Sequence, residues 1–130
     1  MSASGLKVLY VEDDENISMV AKLAMRTFSD YEVLHCSSGK DAVAQFSSFA
    51  PDVVLLDVMM PEMDGIATFG HLQELESFRQ TPVVFMTARV RKEEVAEYMR
   101  LGAFGVITKP FDPSALCANI DQLLQEKAHG

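Results

Sequence analysis

The run Val53-Val54-Leu55-Leu56 is apolar throughout and ends in the carboxylate of Asp57. A strand with one wet face would alternate polar and apolar residues. A short, β-branched run without alternation reads instead as a strand buried on both faces. Pro61 and Gly65 bend the chain just beyond it. One acidic side chain is thus held on a rigid element at the point where the chain leaves the core. Comparable runs recur at Leu6–Val11, at Pro82–Met86 and at Phe104–Thr108, with a weaker one at Tyr31–Cys36.

The segments between these runs carry helical signals. Asp14 is placed to N-cap a helix whose apolar positions are Ile17, Val20, Ala21, Ala24, Met25 and Phe28, the i, i+3, i+4 spacing of an amphipathic helix. Ser37-Ser38-Gly39 opens a second helix carrying Ala42, Val43, Phe46 and Phe49, and Pro51 closes that connection. A third is predicted from Gly65 to Glu76 with Ile66, Phe69 and Leu72 facing in. The fourth starts near Arg91, with Val95, Tyr98 and Met99 as its apolar stripe and Gly102 as its C-cap. Pro113 stands near the start of the last, which bears Leu116, Ile120, Leu123 and Leu124. Strand and helix alternate five times with short connections. That pattern predicts an α/β domain: a parallel sheet, helices on both faces, right-handed crossovers. Residues 1–5 form a lead, 6–127 the domain and 128–130 a tail.

Charge and cysteine content narrow the function. With 19 acidic against 11 basic residues the net charge is −8, which argues against a nucleic-acid surface. Cys36 and Cys117 lack any metal-site spacing and read as buried free thiols of a reducing compartment. His35 and His71 have no partner at ligand spacing and read as structural or surface histidines. Neither a signal-peptide pattern nor an apolar run of membrane-spanning length is present. A cytoplasmic protein is expected.

In a parallel sheet the carboxyl ends of the strands share one edge, where ligands of such folds bind. Here that edge collects Glu12 and Asp13, Asp57, Thr87 and Lys109, each directly after an apolar run. Unit charges about 4 Å apart repel by roughly 1–4 kcal/mol depending on how wet the site is. A cluster of three carboxylates therefore calls for a cation, and hard oxygen ligands with few protein contacts suit Mg²⁺. Lys109 and the Thr87 hydroxyl could then stabilise phosphate oxygens. An aspartate nucleophile with such partners suits in-line phosphoryl transfer to a carboxylate. A structural lysine paired with an acid is the plainer reading of Lys109.

These residues resemble the receiver domain of two-component response regulators. The likeness rests on Val11-Glu12-Asp13-Asp14, on Asp57-Val58-Met59-Met60-Pro61-Glu62-Met63-Asp64-Gly65, on Thr87-Ala88 and on Lys109-Pro110-Phe111, and it runs from Val8 to about Leu124. It implies a flavodoxin-like (βα)5 fold with strand order 2-1-3-4-5. It also implies that Asp57 is the phosphoacceptor. Mg²⁺ (or Mn²⁺) would be held by Asp13, Asp57 and the Met59 carbonyl, with Glu12 acting through a bound water. The Ala88 backbone would meet a phosphoryl oxygen, Thr87 would be the switch hydroxyl, and Lys109 would pair with Asp57 or its phosphate. The Lys109-Pro110 bond would be cis. Met59 and Arg89 would flank the phosphate. A sensor histidine kinase or histidine phosphotransfer protein is the implied donor, with an output domain or target protein downstream. Neither nucleic acid nor a membrane is an implied partner. The face formed by the fourth helix, fifth strand and fifth helix, here including Tyr98 and Val106, would carry output or homodimer contacts.

One departure stands out. The family often places an aromatic three residues before the lysine, and this chain has Val106 there. Two other classes fit less well. A haloacid-dehalogenase-like phosphatase would carry a second acid two residues after the nucleophile, where this chain has Met59. A flavodoxin-like cofactor binder would need a Ser/Thr/Gly-rich phosphate loop, where this chain has Glu12-Asp13-Asp14-Glu15. The expected activity is that of a signalling switch and not of an enzyme. No output domain lies within the 130 residues, which suits either a stand-alone receiver or one domain of a longer protein.

Overall fold

A computed structural model describes residues 5–129, with side chains as far as residue 126. Most of the lead and the end of the tail thus lie outside the described residues. The elements are β1 (Lys7–Val11), α1 (Glu15–Phe28), β2 (Glu32–Cys36), α2 (Gly39–Phe49), β3 (Val53–Asp57), α3 (Gly65–Gln73), β4 (Val83–Thr87), α4 (Lys92–Leu101), β5 (Gly105–Thr108) and α5 (Leu116–His129). All strand pairs are parallel and the sheet order is β2-β1-β3-β4-β5. This is the flavodoxin-like α/β architecture.

Side-chain alternation along the strands divides the core in two. Leu9, Val11, Val54, Leu56, Val83 and Phe85 point to a face covered by α2, α3 and α4 through Phe46, Phe69, Leu72 and Tyr98. Val8, Tyr10, Val53, Leu55, Val84 and Met86 point to the other, covered by α1 and α5 through Ala21, Met25, Leu116 and Ile120. β1, β3 and β4 are covered on both sides, which is why their sequences do not alternate. β2 is an edge strand and only Cys36 on it is fully buried, in keeping with its weaker signal.

Caps fall where the sequence places them. Asp14 accepts from the Ile17 amide at 3.0 Å, Ser38 from Asp41, and Asp64 from Ala67 at 2.9 Å. Gly102 closes α4 at φ 112°, a left-handed conformation that costs glycine little.

Several inward assignments differ. In α1, Val20 and Phe28 are exposed, while Ser18 is buried and returns its hydroxyl to the Glu15 carbonyl. Small residues at Ser18, Ala21 and Ala24 let this helix sit close to the sheet, leaving larger neighbours outside. Ile66 and Met99 are also exposed, so Tyr98 and not Met99 is the inward residue of α4. Tyr98 is 5% exposed, which removes it from the surface where an output face would lie. α3 ends at Gln73, short of Glu76. Past it, Leu75 and Phe78 turn back onto the core, and the Phe78 ring stacks on Phe46 at 5.7 Å. That packing outweighs continuing the helix.

Gly65 opens α3 because nothing larger fits. A Cβ there would lie 2.4 Å from the Asp57 carbonyl oxygen and 2.7 Å from the Val58 Cα. The turn after β3 is thereby pressed against the strand end. Gly70, in the same helix, has open space around it. Urea denaturation should therefore find Gly65→Ala destabilising by about 1–3 kcal/mol and Gly70→Ala neutral or stabilising by up to about 1 kcal/mol. Equal effects at the two positions would refute the close-approach account.

Candidate metal and phosphate site

Register brings the acids together. Val11 pairs with Leu56, so the residues that follow each, Glu12 and Asp57, stand side by side at the strand ends. Glu12 continues the Val8-Tyr10 series and Asp57 the Val53-Leu55 series, so both carboxylates lean to the α1/α5 side. Lys109 reaches the same side from beyond β5. The Lys109 amide donates to the Thr87 carbonyl at 2.9 Å, extending the β4–β5 ladder past its last pair. The Lys109-Pro110 peptide is cis.

The ammonium of Lys109 lies 2.9 Å from Glu12 Oε1 and 3.2 Å from Asp57 Oδ1. Both carboxylates are 1% exposed as residues. Backbone amides add to this: Asp14 donates to the other Glu12 oxygen, Oε2, and Met59 to the same Asp57 Oδ1 that faces Lys109, each at 3.2 Å. Asp13 is exposed and completes a trio of acids with Glu12 and Asp57. One oxygen from each lies within 4.8 Å of the others. Three carboxylates against one lysine leave the cluster short of positive charge. Hard oxygen donors around an open, acidic position fit a Mg²⁺-class cation, which keeps much of its own water. The Met59 side chain is exposed, and its backbone amide is bonded to Asp57.

Electrostatics record the deficit. Burial first, and the Glu12 charge second, push the Asp57 carboxyl up to about 7 from its ordinary 3.8, against the pull of Lys109. Burial opposes the Lys109 charge, but its hydrogen bond to Glu12 and the two carboxylates hold the amine above its ordinary value.

Thr87 and Ala88 stand apart from this ion pair. Thr87 continues the Val83-Phe85 series and so leans to the α4 side. Its fully buried hydroxyl accepts the Arg89 amide at 3.0 Å. Ala88 is exposed in the loop that follows. Val106 is in register with Phe85 and packs on the α4 side, whereas Phe104 packs on the α1/α5 side. His35 donates from Nε2 to the Glu12 carbonyl at 2.9 Å, a structural role on the strand behind the site. Two partners escaped the sequence reading. Glu12 is the nearer anchor of Lys109, and Tyr98 bonds to the loop carrying Thr87. The apolar spacing of α4 marks Tyr98 as a core residue, but nothing in that spacing reports where its hydroxyl goes.

Comparison with known proteins agrees with this fold. The family model described as "Response regulator receiver domain" matches residues 8–121. The regulatory protein AtoC of Escherichia coli K12 is 35% identical over 119 residues, 92% of this chain and 25% of its own length. The transcriptional regulatory protein TrcR of Mycobacterium tuberculosis is 33% identical over 127 residues, 97% of this chain and 48% of its own. The chemotaxis protein CheY4 of Vibrio cholerae superposes with a TM-score of 0.84 at 28% identity, over 92% of this chain and 99% of its own. The chain belongs to the response regulator receiver domain family of two-component signalling. It spans half or less of the length of the two curated relatives named here. Among the described residues no helix is long and apolar enough to cross a membrane.

A carboxyl held above its ordinary value binds its proton more tightly in the folded than in the unfolded chain. The stability this confers is complete below about pH 4, the unfolded value, and is lost as pH rises toward 7. Asp57→Asn removes the effect. In metal-free buffer its stability relative to wild type should therefore climb between those two pH values and level off above them. A difference that stays flat with pH, read from urea midpoints, would contradict the strained carboxylate.

Proposed function

We propose that this domain is switched by phosphorylation of Asp57. The reading is carried by the Lys109 ammonium bridging Glu12 and Asp57 inside a cluster of three acids. The Asp57 carboxylate attacks the phosphorus of a phosphohistidine. The nitrogen–phosphorus bond breaks, an acyl phosphate forms, and the donor imidazole keeps the electron pair. Asp13, Asp57, the Met59 carbonyl and, through water, Glu12 are the residues suited to hold Mg²⁺ or Mn²⁺. Such an ion, when bound, neutralises the charge that develops on the transferred group.

The chain's own groups do the rest. Lys109 stays charged at neutral pH and moves from a carboxylate to a phosphoryl oxygen without leaving the site. The Thr87 hydroxyl has a proton to donate, since its oxygen accepts from Arg89, and it turns to the phosphoryl group. The Ala88 amide meets a further oxygen. Burial of Asp57 at the base of the cluster fixes its approach while Asp13 keeps the mouth open.

The donor is a sensor histidine kinase or a histidine phosphotransfer protein in the cytoplasm. The phosphorylated domain acts by binding an output domain, a target protein or a second copy of itself, and not by turning over a separate substrate.

Intact-mass measurement with acetyl phosphate and Mg²⁺ should find one phosphoryl group on wild type and none on Asp57→Ala. Equal labelling of both would overturn the assignment. In a Mg²⁺ titration Asp13→Asn should weaken binding at least about tenfold, since even the partners that support a metal ligand are worth about 10–100-fold in affinity. Unchanged affinity would exclude Asp13 from the metal site.

A further inference from the structure

Tyr98 is the one aromatic residue of α4, and it faces the core. Its ring meets Phe85 edge-on, with centroids 5.4 Å apart. Its hydroxyl donates to the Arg89 carbonyl at 3.0 Å. The amide of the same residue, Arg89, donates to Thr87 Oγ1 at 3.0 Å. Two hydrogen bonds through one backbone residue therefore join the buried hydroxyl at the end of β4 to the middle of α4. A second tie lies beside them, where Glu94 of the first helical turn accepts the Arg91 amide at 3.1 Å.

We infer that Tyr98 is the aromatic relay of this receiver, coupling the position of the Thr87 hydroxyl to α4 through Arg89. The inference rests on the phosphorylation reading above. When Thr87 turns its hydroxyl toward a phosphoryl group on Asp57, the Arg89 amide loses its acceptor. The bond to Thr87 is partly buried although the loop around it is exposed, and an amide left there without a partner costs up to about 1–3 kcal/mol, so residue 89 shifts to find another. Its carbonyl moves with it, and the Tyr98 hydroxyl must follow or let go. Either response displaces α4, because the Tyr98 ring is wedged against Phe85 in a close-packed core.

The surroundings permit this motion. The loop borders an open cavity of about 510 Å³ lined by Ala88, Arg89, Val90, Arg91 and Glu94, which gives residue 89 somewhere to go. Val106 packs on the same side of the sheet, in register with Phe85. Its side chain has no polar atom with which to reach the loop. The hydrogen-bonding aromatic on this side of the site therefore comes from the helix and not from β5.

A tyrosine that served packing alone would be replaced by phenylalanine without consequence for signalling. Amide NMR spectra of wild type and Tyr98→Phe, each with and without acetyl phosphate and Mg²⁺, distinguish the two. Wild type should show shifts at the amides around Asp57 and across residues 92–101. In Tyr98→Phe the shifts around Asp57 should persist and those of residues 92–101 should be lost. Retention of the α4 shifts in Tyr98→Phe, or their absence in wild type that still responds around Asp57, would overturn the relay. No response anywhere in wild type would instead overturn the phosphorylation reading, and the relay with it. Should Tyr98→Phe unfold, 3-fluorotyrosine incorporated into wild type reads the same contact. The Tyr98 fluorine resonance, assigned by comparison with Tyr10→Phe and Tyr31→Phe, must move on phosphorylation, and a stationary resonance would refute the relay.

Discussion

The contact between the Lys109 ammonium and the carboxylates of Glu12 and Asp57 is the constraint on which the site depends. Two buried acids side by side would repel strongly in a low-dielectric setting. The sheet forces them together because Val11 and Leu56 are paired and the next residue of each strand has nowhere else to go. Lys109 answers part of that repulsion from two strands away. Its backbone is fixed by the bond to Thr87, so the ammonium is delivered and not merely tethered. Asp57 nevertheless stays well above its ordinary value. The domain is built with a deficit of positive charge that a divalent cation is suited to fill.

Alternation along the strands then separates two tasks. Glu12, Asp57 and Lys109 lie on the α1/α5 side, where charge is concentrated. Thr87 leans to the α4 side, where its partners are a backbone amide and, through it, an aromatic residue. On the proposed mechanism, chemistry on one side of the sheet is sensed on the other by a single hydroxyl at the sheet's edge. The strands themselves are buried and close-packed. The connections that carry Ala88 and Arg89 are exposed, so motion is expected in loops and not in the sheet.

Much of this was legible in the residues. Val53–Asp57 matched its strand end for end because burial on both faces leaves an unambiguous run. Asp14 and Ser38 declared their helix starts by chemistry that serves little else. The grouping of Glu12, Asp13, Asp57 and Lys109 was legible because polar groups directly after apolar runs are few. Helix faces were read less well. Val20, Phe28, Ile66 and Met99 are apolar at plausible spacing yet exposed, while Ser18 is buried. Periodicity marks a stripe, but a helix lying close to the sheet selects small residues for its centre. The end of α3 was lost for a related reason, since Phe78 packs against Phe46 from a turn that no local propensity encodes. The bonds of Lys109 to Glu12 and of Tyr98 to Arg89 depend on where separate elements come to rest.

The most direct test of the central claim is chemical location of the phosphoryl group. Borohydride reduction converts an aspartyl phosphate to homoserine, which peptide mass spectrometry reads at single-residue resolution. After reaction with a small phosphodonor and Mg²⁺, homoserine should appear at position 57 and nowhere else. Homoserine at Asp13, or at any carboxylate outside the Lys109 pair, would contradict the account.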